Sequence, residues 1–238
     1  MKKIIIFFVL SFFSLNSFAE KYKITYSDTL MYFGTKLYKS GDLISATAKL
    51  DSCIMLNPKN DECRFYRAKI AYDTKDFELG KLIFKSVLAL QERDAVSWNM
   101  LGLCFQELKQ YDSAEFCFKN AVGLNSKESR FFSNWGKNEY LRGNYQHAEQ
   151  LFNTAILIDP SVSNHFEGRA EVLKKLGNKQ AAIADYQQAK TLNPSNTRVI
   201  EKLSAMEEKN YNSYYLLAGL FIVFISVLLW WKNRKKTI

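Results

Sequence analysis

Small and large apolar residues recur along the middle of the chain at intervals of 34 residues. One small phase holds Gly34, Ala68, Gly102, Gly136 and Ala170, and a second, twelve residues later, holds Ala46, Gly80, Ala114, Ala148 and Ala182. A large apolar phase holds Leu50, Phe84, Phe118, Phe152 and Tyr186. Small residues let two antiparallel helices approach closely, so the pattern predicts five helix–turn–helix units over 27–196. A single hairpin cannot bury its apolar face alone, which favours a stack.

Turn residues support this register. Gly41, Gly143 and Gly177 precede the second helices and suit tight turns. The second helices of three units end at Asn57-Pro58, Asp159-Pro160 and Asn193-Pro194, because the residue before proline avoids the helical region. Residues 197–210 have apolar residues at helical spacing, which predicts a capping helix over the last unit.

The N-terminus predicts a secretory signal peptide at residues 1–19, followed by a short lead at 20–26. Lys2 and Lys3 precede the apolar run Ile4–Phe13, and Ser17-Phe18-Ala19 places small residues where a signal peptidase cleaves. The run is too short to span a bilayer, which takes about 20 residues. An uncleaved membrane anchor is the alternative interpretation.

Residues 211–231 predict a transmembrane helix. The run is almost entirely apolar and has tyrosines at one end and Trp230 and Trp231 at the other, as in an aromatic belt. The basic tail 232–238 follows, and the positive-inside rule keeps it cytoplasmic. The sequence therefore predicts one topology, with the repeats outside the cytoplasm and the tail inside. A buried core helix is the alternative for this run.

Charge and motifs narrow the function. The net charge is +9, but six of these charges lie at the two termini, which leaves only +3 for the body. Nucleic-acid binding is therefore not expected. The only histidines, His147 and His165, fit no metal motif and are predicted to be exposed. Nucleotide-binding and nucleophile motifs are missing from the sequence, so we expect neither catalysis nor a cofactor nor a metal.

Four cysteines raise the question of disulfides. Cys53 and Cys63 form the best candidate pair, since antiparallel neighbouring helices could bring them together, and an extracytoplasmic location permits a bond. Cys104 and Cys117 are out of phase across their hairpin. Buried free thiols are the preferred interpretation for both pairs.

The third unit carries a family signature. It contains Trp98, Leu101, Gly102, Phe105, Ala114, Phe118 and Ala121. This spacing resembles the tetratricopeptide repeat (TPR), and the resemblance covers 27–196. The second of the five repeats departs most from the TPR signature, because Arg64 and Arg67 replace apolar residues. We therefore expect looser packing in that repeat.

The resemblance implies an all-α solenoid of about five repeats with a capping helix, followed here by the transmembrane helix. In TPR arrays the first helices line a concave face that binds a peptide or a helix of a protein partner. The candidate site is defined by aromatic rings and amides on the first helices, at positions that the core does not need. The second helices, in contrast, are predicted to present mainly charged and amide residues outward. The predicted residues of the site are Phe65, Lys69, Tyr72, Asn99, Gln106, Arg130, Asn134, Lys137 and Tyr140. A solvated face without a role is the alternative.

The chain resembles anchored TPR subunits of bacterial envelope assemblies. This implies a membrane-tethered scaffold for protein–protein interactions on the periplasmic side of the cytoplasmic membrane, with other subunits of a membrane complex among its possible partners. One alternative is a signalling subunit that couples occupancy of the solenoid to association of the transmembrane helix. Another is a cytosol-facing, tail-anchored adaptor, for which residues 1–19 would remain uncleaved.

Overall fold

A computed structural model describes residues 2–207 and 220–226, with side chains from residue 20 onwards, and all regular elements in these ranges are helical. The helices are α1 (Lys2–Ser40), α2 (Leu43–Leu56), α3 (Asp61–Asp73), α4 (Phe77–Leu90), α5 (Ala95–Glu107), α6 (Tyr111–Leu124), α7 (Ser129–Arg142), α8 (Tyr145–Ile158), α9 (Ser163–Lys175), α10 (Lys179–Leu192), α11 (197–207) and α12 (220–226). From α2 onwards, corresponding helices of successive pairs begin 34 residues apart. The all-helical fold with the predicted period is confirmed.

The chain divides into two compact units, residues 1–142 and 143–238. In the first unit, α1–α2, α3–α4 and α5–α6 form hairpins, and each second helix also packs against the first helix that follows it. In the second unit, α8 packs against α9, and α9 forms a hairpin with α10. Val199 and Leu203 of α11 are buried against this hairpin, which caps its apolar surface.

The small and large phases meet inside each hairpin of the first unit. A Cβ atom built on Gly102 would lie 2.7 Å from Cε1 of Phe118, and one on Gly34 would lie 2.8 Å from Cγ of Leu50. Both distances are shorter than a normal contact, so a larger residue at either position requires the facing side chain or the helix to shift.

Left-handed residues form the turns between paired helices. Gly41, Gly143 and Gly177 have φ values of 87°, 89° and 85°, which confirms their predicted turn role. Lys75 and Lys109 occupy the same phase in the second and third pairs, with φ values of 65° and 59°. The fold therefore imposes this conformation even where the sequence supplies no glycine.

The helices near the two termini do not follow the segment boundaries predicted from the sequence. Helix α1 is continuous from residue 2 to residue 40, so the predicted lead 20–26 is helical, in keeping with a sequence that has no glycine or proline before Gly34. The predicted span 211–231 lies outside the described residues except for α12. None of the helices within 2–207 and 220–226 combines the length and apolarity that a bilayer crossing requires. The tail 232–238 lies outside the described residues.

Cys53 and Cys63 form a disulfide that joins the end of α2 to the start of α3, with 6.4 Å between their Cα atoms. The preference for free thiols at this pair is therefore wrong, because the turn at 57–60 brings the two helix ends together. Cys104 and Cys117 are free and buried, as expected. Burial raises the pKa of both thiols to about 12.

The second pair of helices accommodates its two arginines through hydrogen bonds. Arg64 donates to the carbonyl oxygen of Pro58 and to Oγ of Ser86, and Arg67 Nε donates to Oδ1 of Asp51 at 2.9 Å. The guanidinium groups thus bind across to neighbouring helices instead of leaving the apolar positions loosely filled.

Candidate functional site

The first helices of the first unit lie side by side, since α1 contacts α3, α3 contacts α5, and α5 contacts α7. We define the first-helix face as the surface formed by residues 31–38, 65–72, 99–106 and 130–140. All nine predicted partner-binding residues lie within these ranges. The structure therefore brings them together within one unit, although their environments differ.

Polar side chains bridge neighbouring helices of the first-helix face. Tyr38 Oη donates to Oδ2 of Asp73 at 2.6 Å. Asn134 Nδ2 donates to Oδ1 of Asn99 at 2.9 Å. Both bonds join residues 35 positions apart, which is one repeat plus one residue. The repeat thus places complementary groups of successive helices within reach of each other.

The three rings on which the predicted site depended are half-buried instead of exposed. Phe65 packs its edge against Phe84, with ring centres 5.8 Å apart, and Tyr72 packs similarly against Phe77 at 5.4 Å. Tyr140 is also half-buried. Because Phe65 and Tyr72 pack against the core, only part of each ring is available to a partner.

The two predicted amides of α5 are buried, and only one of them has a hydrogen-bond partner. Asn99 accepts the hydrogen bond from Asn134. Gln106 is only 2% exposed, and neither its Nε2 nor its Oε1 has a hydrogen-bond partner among the described residues. Burying an amide without a hydrogen-bond partner destabilises the folded state by about 1–3 kcal/mol. Gln106 therefore has a donor and an acceptor that a ligand at this face could satisfy.

The cations of the first-helix face are already engaged. The ammonium of Lys69 lies 5.2 Å from the ring centre of Tyr38. Arg130 binds the Glu128 carboxylate through two nitrogens, at 2.8 and 3.3 Å. Lys137 Nζ lies 3.7 Å from Oε1 of Glu107. A partner would therefore gain little from charge alone.

The tyrosines of this face remain protonated at neutral pH. Burial is the largest cause that raises the pKa of Tyr72, to about 12, and the negative charge of Glu107 adds to it. Burial and the hydrogen bond to Asp73 also raise the pKa of Tyr38. Tyr72 therefore offers a phenolic hydrogen-bond donor to a ligand. In the described part of the chain, His, Cys, Asp and Glu side chains form no group of three or more that could hold a metal ion.

Sequence reasoning missed a second surface. The second helices expose large apolar side chains, namely Ile44, Met55, Leu82, Phe116 and Leu157. The prediction of mainly charged and amide residues there did not include these apolar side chains. Leu82 and Phe116 are 34 residues apart and so occupy the same position in successive repeats. A large apolar residue that recurs at a position outside the hairpin core was the signal that could have revealed this surface.

A pocket of about 520 Å³ opens beside Phe116, between α4, α5 and α6. We call it the second-helix pocket. Its lining residues are Lys85, Leu88, Trp98, Leu101, Phe105, Asp112, Ser113, Phe116 and Cys117. The indole nitrogen of Trp98 donates to the carbonyl of Glu92 at 2.8 Å, and its ring meets the Phe116 ring at 5.8 Å.

The histidines also differ from expectation. His165 is fully buried at the start of α9, so its predicted exposure is wrong, while His147 is half-buried. The sequence gave no indication that a ring so close to the start of a helix would be buried.

Comparisons with known proteins agree with this architecture. The tetratricopeptide repeat family profile matches residues 95–128, which contain α5 and α6, and residues 168–196. No curated protein matches the chain by sequence. The described helices and these matches define the class, a protein with TPR repeats and the TPR fold.

Solved structures show the same fold at low sequence identity. A thermophilic TPR protein of Thermus thermophilus is 17% identical, with a TM-score of 0.65 over 76% of this chain and 98% of that one. PilF of Pseudomonas aeruginosa is 18% identical, with a TM-score of 0.68 over 81% and 90%. YrrB, described as a TPR protein with an unusual peptide-binding site, is 18% identical, with a TM-score of 0.58 over 73% and 89%.

Proposed function

We propose that this protein is a non-enzymatic scaffold whose first-helix face binds a segment of a protein partner. The observation that carries the proposal is the Gln106 amide, which is buried without a hydrogen-bond partner at the centre of the face. A peptide backbone presents one donor and one acceptor per residue, which matches the two unused groups of this side chain. The peptide-binding site of YrrB, which has the same fold, supports a peptide as the ligand.

Neighbouring side chains on this face extend the contact. Tyr72 and Tyr140 lie one repeat before and one repeat after Gln106, so the three side chains form a row across α3, α5 and α7. Half-buried rings offer apolar area at little entropic cost because packing already holds them. Binding then requires Gln106 to turn outward, and the hydrogen bonds gained compensate for this rearrangement.

We further propose that the scaffold is tethered to the cytoplasmic membrane with its repeats on the periplasmic side. The apolar run 211–231 and the basic tail after it support the tether, and the signal-like segment 1–19 supports export. The disulfide between Cys53 and Cys63 supports an oxidising compartment, which disfavours the cytosol-facing alternative.

Replacing Gln106 with methionine should raise the stability of the protein and lower its binding to partners. Methionine has a similar shape and no unpaired polar group, so we expect the free energy of unfolding to rise by about 1–2 kcal/mol. Crosslinked partners recovered from native membranes, quantified by mass spectrometry, should fall at least fivefold. The double variant Tyr72→Ala plus Tyr140→Ala should lose the same partners.

A matched control separates this face from the rest of the surface. Phe116→Ala lies on the second helices of the same unit and should leave the Gln106-dependent partners at the yield of the unsubstituted protein. Recovery of all partners at full yield by Gln106→Met and by the double tyrosine variant would show that the first-helix face is not the binding site.

A further inference from the structure

Polar bridges join a second helix to the first helix that follows it at two places in the chain. In the first unit, Arg67 donates to Asp51 at 2.9 Å and so links α3 to α2. In the second unit, Arg169 occupies the same phase three repeats later and donates to Oδ1 of Asn153 at 2.8 Å. The phase pair 51 and 67 therefore recurs once as a hydrogen-bonded bridge, whereas Lys119 and Trp135 at the same phases make a cation–π contact, with 5.6 Å between the ammonium and the ring centre.

The junction between α4 and α5 lacks this bridge. The corresponding residues there are Lys85 and Leu101, which cannot pair, and Trp98 replaces the hydrogen-bonded Arg64 of the previous repeat. The second-helix pocket occupies this place. Its volume lies within the range of about 300–1,000 Å³ that is usual for ligand sites.

Apolar side chains extend the pocket onto the surface. Phe116, at its edge, is 61% exposed, and Leu82 at the same phase of α4 is 66% exposed. Buried Leu88, Leu101 and Phe105 form the apolar lining. An apolar surface that continues outward from a pocket suits a protein segment better than an enclosed small molecule.

One positive charge at the pocket is not neutralised. The ammonium of Lys85 lies 5.5 Å from the ring centre of Phe105 and forms no ion pair with any carboxylate of the described residues. The nearby acid Asp112 is instead bound by Arg142 at 2.8 Å. The pocket thus favours a partner with a negative charge, whereas a second copy of this basic chain would present the same uncompensated lysine.

We propose that the second-helix pocket is a separate docking site for an acidic–aromatic segment of a partner protein. A large apolar side chain of the segment enters the pocket beside Trp98 and Phe116, and an adjacent carboxylate pairs with Lys85. This site shares α5 with the first-helix face, through Leu101 and Phe105, and takes the rest of its lining mainly from α4 and α6, so the scaffold holds a second segment there.

A defined pair of probe peptides tests this assignment on the full chain in lipid nanodiscs. The acidic peptide is Ac-Gly-Asp-Phe-Leu-Asp-Gly-amide, and the basic peptide has lysine in place of both aspartates. By fluorescence anisotropy, we expect the acidic peptide to bind at least tenfold more tightly than the basic one. Lys85→Glu should reverse this preference, and Phe116→Ala should weaken acidic-peptide binding at least tenfold.

Two controls fix the location of the bound peptide. Met55→Ala removes an apolar side chain elsewhere in the first unit that is even more exposed than Phe116, at 82% against 61%, and should leave binding unchanged. Gln106→Met should also leave it unchanged, whereas loss of binding with that variant would place the peptide on the first-helix face and overturn the proposal.

Two other results would also overturn it. The first is equal binding of both peptides in the unsubstituted protein and in Lys85→Glu. The second is a dimer, seen by sedimentation, that Phe116→Ala dissociates while the acidic peptide fails to bind, since a second copy would then be the occupant.

Discussion

Gly102 lies directly against the ring of Phe118, and a Cβ atom at this position would fall 2.7 Å from the ring. Gly102→Ala therefore forces the ring or the helix to move, and overpacking of this kind costs about 1–3 kcal/mol. We expect the free energy of unfolding, measured with urea, to fall by that amount.

A matched glycine provides the control for this prediction. Gly123 lies in the last turn of α6 with no atom within 4 Å of an added Cβ. Gly123→Ala should be neutral or stabilising by up to about 1 kcal/mol, because alanine favours the helix. Equal effects at the two sites would contradict the assigned packing.

Lys109 adopts the left-handed conformation that glycine occupies at the same phase of other pairs. A residue with a Cβ is less stable there than glycine by about 1 kcal/mol. We expect Lys109→Gly to raise the melting temperature by a few degrees. The reciprocal substitution Gly177→Lys should lower it, and a decrease with Lys109→Gly would show that the lysine side chain contributes more than the backbone strain costs.

Single positions were the least predictable level. Spacing alone identified Gly102 and Phe118 as packing partners, because both lie at phases fixed by the hairpin. It did not reveal that Gln106 and His165 are buried, since their burial depends on neighbouring helices that contribute different side chains in each repeat. The rings of Phe65 and Tyr72 fold onto the core for the same reason.

Among the elements, α11 depends on charged contacts as well as apolar ones. Lys202 of α11 lies 2.6 Å from Glu171 and 3.1 Å from Glu167 of α9. Arg198 also binds Glu167, at 2.8 Å. The cap is thus attached to α9 by a small network beside its buried Val199 and Leu203.

The network gives the cap a pH dependence. Burial acts to raise the pKa of Glu171, but hydrogen bonds from Lys202, Tyr186 and Lys174 outweigh it and hold the pKa at about 2, below its ordinary 4.5. The folded state therefore favours the carboxylate, and this stabilisation is complete above pH 4.5 and is lost as the pH falls towards 2. We expect Glu171→Gln to cost on the order of 1–2 kcal/mol at pH 7, allowing for partial exposure.

Urea unfolding at two pH values checks this expectation. The difference in unfolding free energy between the unsubstituted protein and Glu171→Gln should shrink by more than half between pH 7 and pH 3. Glu201→Gln, on the exposed side of α11, should show no such change. A difference that stays constant with pH would mean that Glu171 is not held as a paired carboxylate.

The helices themselves were predictable because their period, turns and core phases repeat. Helix starts follow the 34-residue spacing from α2 to α10 even where Lys75 and Lys109 replace the expected glycine. The division at residue 26 was not visible in the structure, because nothing in the sequence before Gly34 interrupts a helix.

At the scale of the whole molecule, the proposed topology makes a direct expectation. The mature chain should begin at Glu20, and protease added outside the cytoplasmic membrane should digest the repeats. Removing 211–238 should release them into the periplasmic fraction. Protection of the repeats until the membrane is opened, together with an intact N-terminus, would favour the cytosol-facing adaptor instead.

The candidate surfaces were only half predictable. Phase arguments placed nine residues on one face, and the structure brings them together, but their exposure was overestimated. The second-helix pocket was overlooked because its lining combines side chains of α4, α5 and α6 that come together only in the folded structure.

The disulfide between Cys53 and Cys63 determines which helix opens first at the N-terminal end of the repeats. A terminal repeat in a stack is held by one neighbour only and opens before the interior. Here the covalent link keeps α2 attached to α3 after their packing is lost, so α1 is the one helix at that end that can detach freely. Because the two cysteines are 10 residues apart in sequence, the bond closes a short loop and holds these two helix ends together under oxidising conditions whether or not their pairs are docked.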